Sequence, residues 1–157
     1  MSEKEDLVAV VDGAALIENI LNQAIEEFCA PAKNRFQFFW DVILDSSILP
    51  MGSKAKVAMA ISQTLKYKLD QESIHKVMSL RNAFAHHKTQ SHPVMVVGKT
   101  SDQNSSHFEL QVISNSGNIS RQKREDALAE FKKVSAAAKK SLVGLLDLIK
   151  SSNDADS

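Results

Sequence analysis

Three side chains in this sequence carry functional groups suited to phosphate chemistry, at spacings that one helix end would gather: Arg81, Asn82 and His86. They stand in the run Arg81-Asn82-Ala83-Phe84-Ala85-His86. A guanidinium can hold two phosphate oxygens in a bidentate manner. An imidazole, with an intrinsic pKa of about 6.5, gives and takes protons near neutral pH. Cleavage of an RNA backbone through its own 2′-hydroxyl needs a base, an acid and a stabiliser of the charged phosphorane, and no metal. One chain supplies one such histidine, so an acid–base pair requires two chains meeting motif to motif. Asn82 would position the phosphate or the His86 ring. A structural role fits the same residues: Arg81 could pair with Glu18, Glu26 or Glu27, and His86 could bond the last carbonyls of its helix.

The helix that must carry them begins after Asp70, an N-cap residue by type, and ends with the motif. Ile74, Met78, Arg81 and Ala85 follow the spacing of a buried stripe, which puts Arg81 where an apolar residue belongs. A guanidinium buried there needs a partner, because an isolated buried charge is costly. Asn82 and His86, four residues apart, share the adjoining face.

Three further helices are expected before this one. The first spans about residues 5–29, with Leu7, Val11, Ala14, Ile17, Leu21, Ala24 and Phe28 as its apolar stripe and Gly13 as a bend. Residues 30–34, with Pro31, break it. The second, about 35–45, is crowded with Phe36, Phe38, Phe39, Trp40, Val42, Ile43 and Leu44, a composition that predicts the centre of the core. Pro50-Met51-Gly52 reads as a turn and Ser53 as the N-cap of a third helix to about residue 67. Lys54 and Lys56 fall in its first turn, where the helix dipole disfavours cations, so they are either solvated or matched by a nearby anion.

Beyond His86 the pattern changes to strands at residues 93–97 and 107–113, with the turn at 102–106 and residues 115–118 ending the ribbon. A last helix is expected over about residues 121–150, with Ala127, Phe131, Val134, Ala138, Leu142, Leu145 and Ile149 as its stripe. The fold class predicted is mainly all-α: a single domain over residues 1–150, a bundle of about five helices with a small β-hairpin inserted before the last. Residues 151–157 are polar and predict a disordered tail.

Composition sets the bounds. The chain has 157 residues, 43% hydrophobic and 24% charged, with a formal net charge of zero. That describes an ordinary single domain with one core. No continuous apolar run reaches the ~20 residues of a membrane span, and the acidic start lacks a secretory pattern. The one cysteine, Cys29, cannot form an internal disulfide; a cytoplasmic location and a buried structural thiol are expected. Neutrality hides a division: residues 1–50 are acidic on balance, and residues 51–100, which include the motif, are basic on balance. That permits a local anion-binding surface but argues against broad non-specific nucleic-acid binding. The acidic first helix could equally neutralise the basic ones across the bundle. His86, His87 and His92 lack a nearby carboxylate or cysteine, so neither a metal nor any other cofactor is expected. Gly52-Ser53-Lys54 lacks the leading glycine of a phosphate loop, and no helix-turn-helix pattern or Ser/His/Asp motif is present.

The motif resembles the signature of HEPN domains, small helical bundles with an Arg, four to six residues, then a His. The upstream run Leu49-Pro50-Met51-Gly52-Ser53-Lys54-Ala55-Lys56 is similar to the mannitol operon repressor family, which leads a like Leu-Gly-Ser-x-x-x-Lys segment into an Arg-Asn-x-Phe-Ala-His end. The resemblance covers roughly residues 10–150 as a pattern. It implies a helical bundle, a homodimer and one of two activities. The first is a metal-independent endoribonuclease acting on RNA, with Arg81, Asn82 and His86 as its site. The alternative is a non-catalytic transcriptional regulator or interaction module with a regulatory protein partner.

Overall fold

The structure, a computed structural model, describes residues 2–87 and 109–155. It contains five helices and a two-stranded hairpin that precedes the last helix. The strand expected at 93–97 and the turn at 102–106 lie outside the described residues.

Helix α1 (Glu3–Cys29) starts with a reciprocal cap: the Glu5 amide donates to the Ser2 hydroxyl and the Ser2 amide donates to the Glu5 carboxylate. Glu3, Glu5 and Asp6 in the first turn complement the dipole. The helix closes on Ala30 in the left-handed region. Its buried face is Val10, Ala14, Ile17, Ile20, Leu21, Ala24 and Ile25. Val11 and Phe28, expected on that face, are exposed. By length and composition α1 is apolar enough to cross a bilayer, but here that buried face forms the centre of the bundle. Gly13 has a role other than bending the chain. A Cβ there would stand 2.8 Å from Phe131 Cε1, so glycine is what lets α1 lie this close to α5.

Helix α2 is composite: a 3₁₀ turn over Lys33–Arg35, an α turn over Phe36–Phe38 and a π-helix over Phe39–Ile43. It is not the centre of the core. Phe36, Phe38, Val42 and Ile43 are exposed, Phe39 and Trp40 are half-buried, and only Leu44, just past its end, is fully enclosed. The π turn explains part of this, since the Leu44 amide bonds the Phe39 carbonyl five residues back. Widening the turn shifts the phase of the side chains that follow, so the apolar ones do not all fall on the buried side.

Helix α3 (Met51–Thr64) begins two residues earlier than Ser53, with Pro50 at the cap position; the Ser53 and Lys54 amides donate to the Pro50 carbonyl. Helix α4 (Gln71–His87) is capped by Asp70 as expected, its carboxylate accepting from the Ser73 amide at 3.0 Å and from the Ser73 hydroxyl at 2.7 Å. Ser141 of the last helix ties the α3–α4 connection down: its hydroxyl accepts from the Asp70 amide and its carbonyl accepts from the Tyr67 hydroxyl.

Strands β1 (Glu109–Ile113) and β2 (Ile119–Lys123) pair antiparallel, joined by a turn with Gly117 at φ 82°. Leu110 and Val112 are buried, while Ile113 and Ile119, paired beside the turn, are exposed. β1 lies against α4. Helix α5 (Arg124–Ala155) therefore starts later than residue 121, and it continues through residues 151–155, which were expected to be tail. Asn153 accounts for part of that extension, donating to the Glu27 carbonyl at the end of α1. At its other end Arg124 bonds the buried Asp6 at 3.1 Å and lies 5.2 Å above the Phe84 ring. The core is built by α1, α3, α4, β1 and α5, each fully enclosed large aliphatic side chain contributing about 1.5–3 kcal/mol.

Candidate functional site

The buried stripe of α4 is Ile74, Val77, Leu80 and Phe84, with Ala83 beside it. This is one residue out of phase with the stripe expected through Met78, Arg81 and Ala85. Arg81 is consequently exposed, as are Asn82 and His86. The three lie within the last two turns of α4, with Asn82 and His86 one turn apart. The Arg81 Nη1 donates to Asn82 Oδ1 at 3.2 Å, which holds the guanidinium along the helix surface. Cations are favoured at this end of a helix because unpaired carbonyls gather there. Among the described residues Arg81 makes no ion pair with Glu18, Glu26 or Glu27.

Glu18 has another partner. Its carboxylate accepts from Lys54 Nζ at 2.6 Å and from the Ser46 hydroxyl, and Lys54 also reaches Ser46 at 3.4 Å. Lys54 is 1% exposed, the largest fully buried side chain among the described residues. The anion that its position in the first turn of α3 called for is thus Glu18 of α1. Burial pushes the Glu18 carboxyl up, but hydrogen bonds from Lys54 and Ser46 and the charges of Lys54 and Arg81 outweigh it, so its pKa falls below the ordinary 4.5. Arg81 is therefore close enough to act on Glu18 electrostatically without bonding it. Of the three acids the sequence offered to Arg81, Glu18 is taken by Lys54. The better signal was Lys54 itself, which shares a face with Ala55, Ala58 and Ile61.

No known family, characterised protein or solved structure matches this chain. The chemistry must be read from the side chains. Arg81 offers a phosphate fork at the surface, Asn82 a neutral donor and acceptor beside it, and His86 a proton carrier one turn on. Arg81 and Asn82 can bind an anionic oxygen, and His86 can move a proton. Cys29 offers little as a nucleophile. It is exposed, contrary to expectation, because it is the last residue of α1, and partial burial raises its thiol pKa and keeps it protonated. Among the described residues no three of His, Cys, Asp and Glu converge as metal ligands. His92 is outside them.

Proposed function

We propose that this protein is a HEPN-like, cytoplasmic homodimer that cleaves RNA without a metal, with Arg81, Asn82 and His86 as the site in each chain. The observation that carries the reading is the exposure of all three on the end of α4, while the buried ion pair with Glu18 is made by Lys54. A catalytic strip has to meet solvent and substrate, whereas a structural arginine would be enclosed with its acid.

In this mechanism one His86 takes the proton from the 2′-hydroxyl, whose oxygen attacks the adjacent phosphorus. Arg81 bears the charge that builds on the phosphorane oxygens. The second chain's His86 gives a proton to the departing 5′-oxygen, leaving a 2′,3′-cyclic phosphate and a free 5′-hydroxyl. Asn82 holds the Arg81 fork in place.

Incubating the protein with RNA in EDTA should yield fragments with 2′,3′-cyclic phosphate ends. His86→Ala should slow their appearance about 100-fold or more, the usual effect of losing a proton-transfer group. A folded, dimeric wild-type protein that produces no such ends would refute the nuclease. A second reading is favoured by the exposed apolar side chains of α2: an interaction module resembling the mannitol operon repressor, in which that face docks a regulatory protein.

A further inference from the structure

The segment from Lys33 to Ile48 exposes more large apolar side chains than any other part of the described chain. Phe36, Phe38, Val42, Ile43 and Ile48 are all open, Phe38 and Ile48 to 60% and 61%. Isolated apolar residues on a surface need no explanation, but this many on one short helix and its following turn mark a contact face. The Trp40 indole N–H, buried within the same helix, has no acceptor among the described residues.

The charges on this face have a symmetry. Arg35 precedes Phe38 by three residues and Asp41 follows it by three; Lys33 extends the basic end, and Asp45 the acidic one. All four are exposed. A face with a basic end, an apolar middle and an acidic end complements a copy of itself turned by 180°. This is the requirement of an isologous interface, in which residue i meets j and j meets i. Phe38 then lies at the axis against its own copy, and each Arg35 meets the other chain's Asp41.

We infer that α2 is the face through which a second copy of this chain docks, antiparallel, with the two-fold axis at Phe38. RNA fits the face poorly: of its five apolar side chains only Phe36 and Phe38 carry a ring on which a base could stack, and Asp41 and Asp45 repel phosphate. A foreign protein would not require the mirrored charges. The inference rests on the nuclease reading in one respect, the need for two motifs at one site, and the structure offers a link. Ser46, in the same segment, bonds Glu18, and Glu18 feels the charge of Arg81. A copy seated on α2 therefore stands beside the cluster in which Ser46 and Lys54 hold the Glu18 carboxylate.

The test is sedimentation of the full chain at micromolar concentration, with helicity and melting measured alongside. Wild type should be a dimer. Phe38→Asp, Arg35→Glu and Asp41→Arg should each weaken association about 10-fold or more while leaving the monomer folded, since like charges placed opposite one another oppose docking. The double variant Arg35→Glu/Asp41→Arg, with its charges exchanged, should dimerise again. A monomeric wild type, a dimer indifferent to these changes, or a double variant that fails to recover would overturn the inference. So would a Phe38→Asp protein that remains dimeric but loses affinity for a single-stranded RNA oligonucleotide, which would make the face an RNA platform. A dimer that follows the expected pattern but cuts no RNA leaves this face standing and removes the nuclease; an active nuclease whose dimer ignores every variant removes only the face.

Discussion

Lys54 and Arg81 are two cations whose charges both favour the ionised Glu18 carboxylate, and the fold treats them in opposite ways. Lys54 is enclosed and clasped by Glu18 and Ser46; Arg81 is exposed and, among the described residues, bonds the Asn82 side chain. Helical phase decides which is which. Lys54 lies on the face of α3 that carries Ala55, Ala58 and Ile61 inward, whereas Arg81 lies one residue past Leu80, turned away from the stripe that ends at Phe84. A buried charge is held for the fold, because separating it from its partner leaves an ion in a medium that solvates it badly. An exposed charge on a helix end costs the fold almost nothing and is available for binding.

The sharpest break in this contrast comes from Glu18→Ala. It strands the Lys54 ammonium in the interior and should destabilise the protein by about 3–5 kcal/mol. At about 2–4 °C per kcal/mol for a chain of this size, that is a fall of roughly 10 °C in melting temperature by calorimetry. A fall of less than about 1 kcal/mol would mean that Lys54 escapes to water.

Trp40→Ala ranks next. A fully enclosed tryptophan would cost about 3–5 kcal/mol, but Trp40 is half-buried in α2, so denaturant titration should give a loss nearer 2 kcal/mol. Here the sequence misled. Eight residues rich in phenylalanine suggest a core, yet apolar composition does not fix burial, and the π turn that shifts the phase of these side chains leaves no mark in their spacing. Elsewhere the residues were more legible. The five helices, the Asp70 cap and the strand Glu109–Ile113 ahead of the last helix all follow from periodicity and capping chemistry. The polar strand Ile119–Lys123 did not, because Ser120, Arg121, Gln122 and Lys123 carry no alternation and form a strand only by pairing with β1. The motif was found from its residue types, but its orientation was misjudged. Both stripes through α4 fit three- and four-residue steps, and the one through Val77, Leu80 and Phe84 admits only apolar residues.

A smaller effect should appear in the pH dependence. The Glu18 carboxyl titrates below its ordinary 4.5 in the folded protein, so its contribution to stability is present above that value. It is lost as pH falls through the lower folded value, because the unfolded chain then binds the proton more readily. Glu18→Gln should therefore flatten the decline in stability of the wild type between about pH 5 and pH 3. An unchanged acid slope in this variant would show that the clasp carries no charge.

The smallest change in stability should come from Arg81→Ala, within about 0.5 kcal/mol of wild type, as for other surface substitutions. The same variant gives the most direct test of the central claim, that the exposed strip serves chemistry and not the fold. Its RNA cleavage rate in EDTA should be measured on protein whose melting temperature has been recorded. The account predicts a loss of about 100-fold or more, from removing a charge aimed at the phosphorane, with melting nearly unchanged. A variant that cuts RNA as fast as wild type, or that melts early, would contradict it.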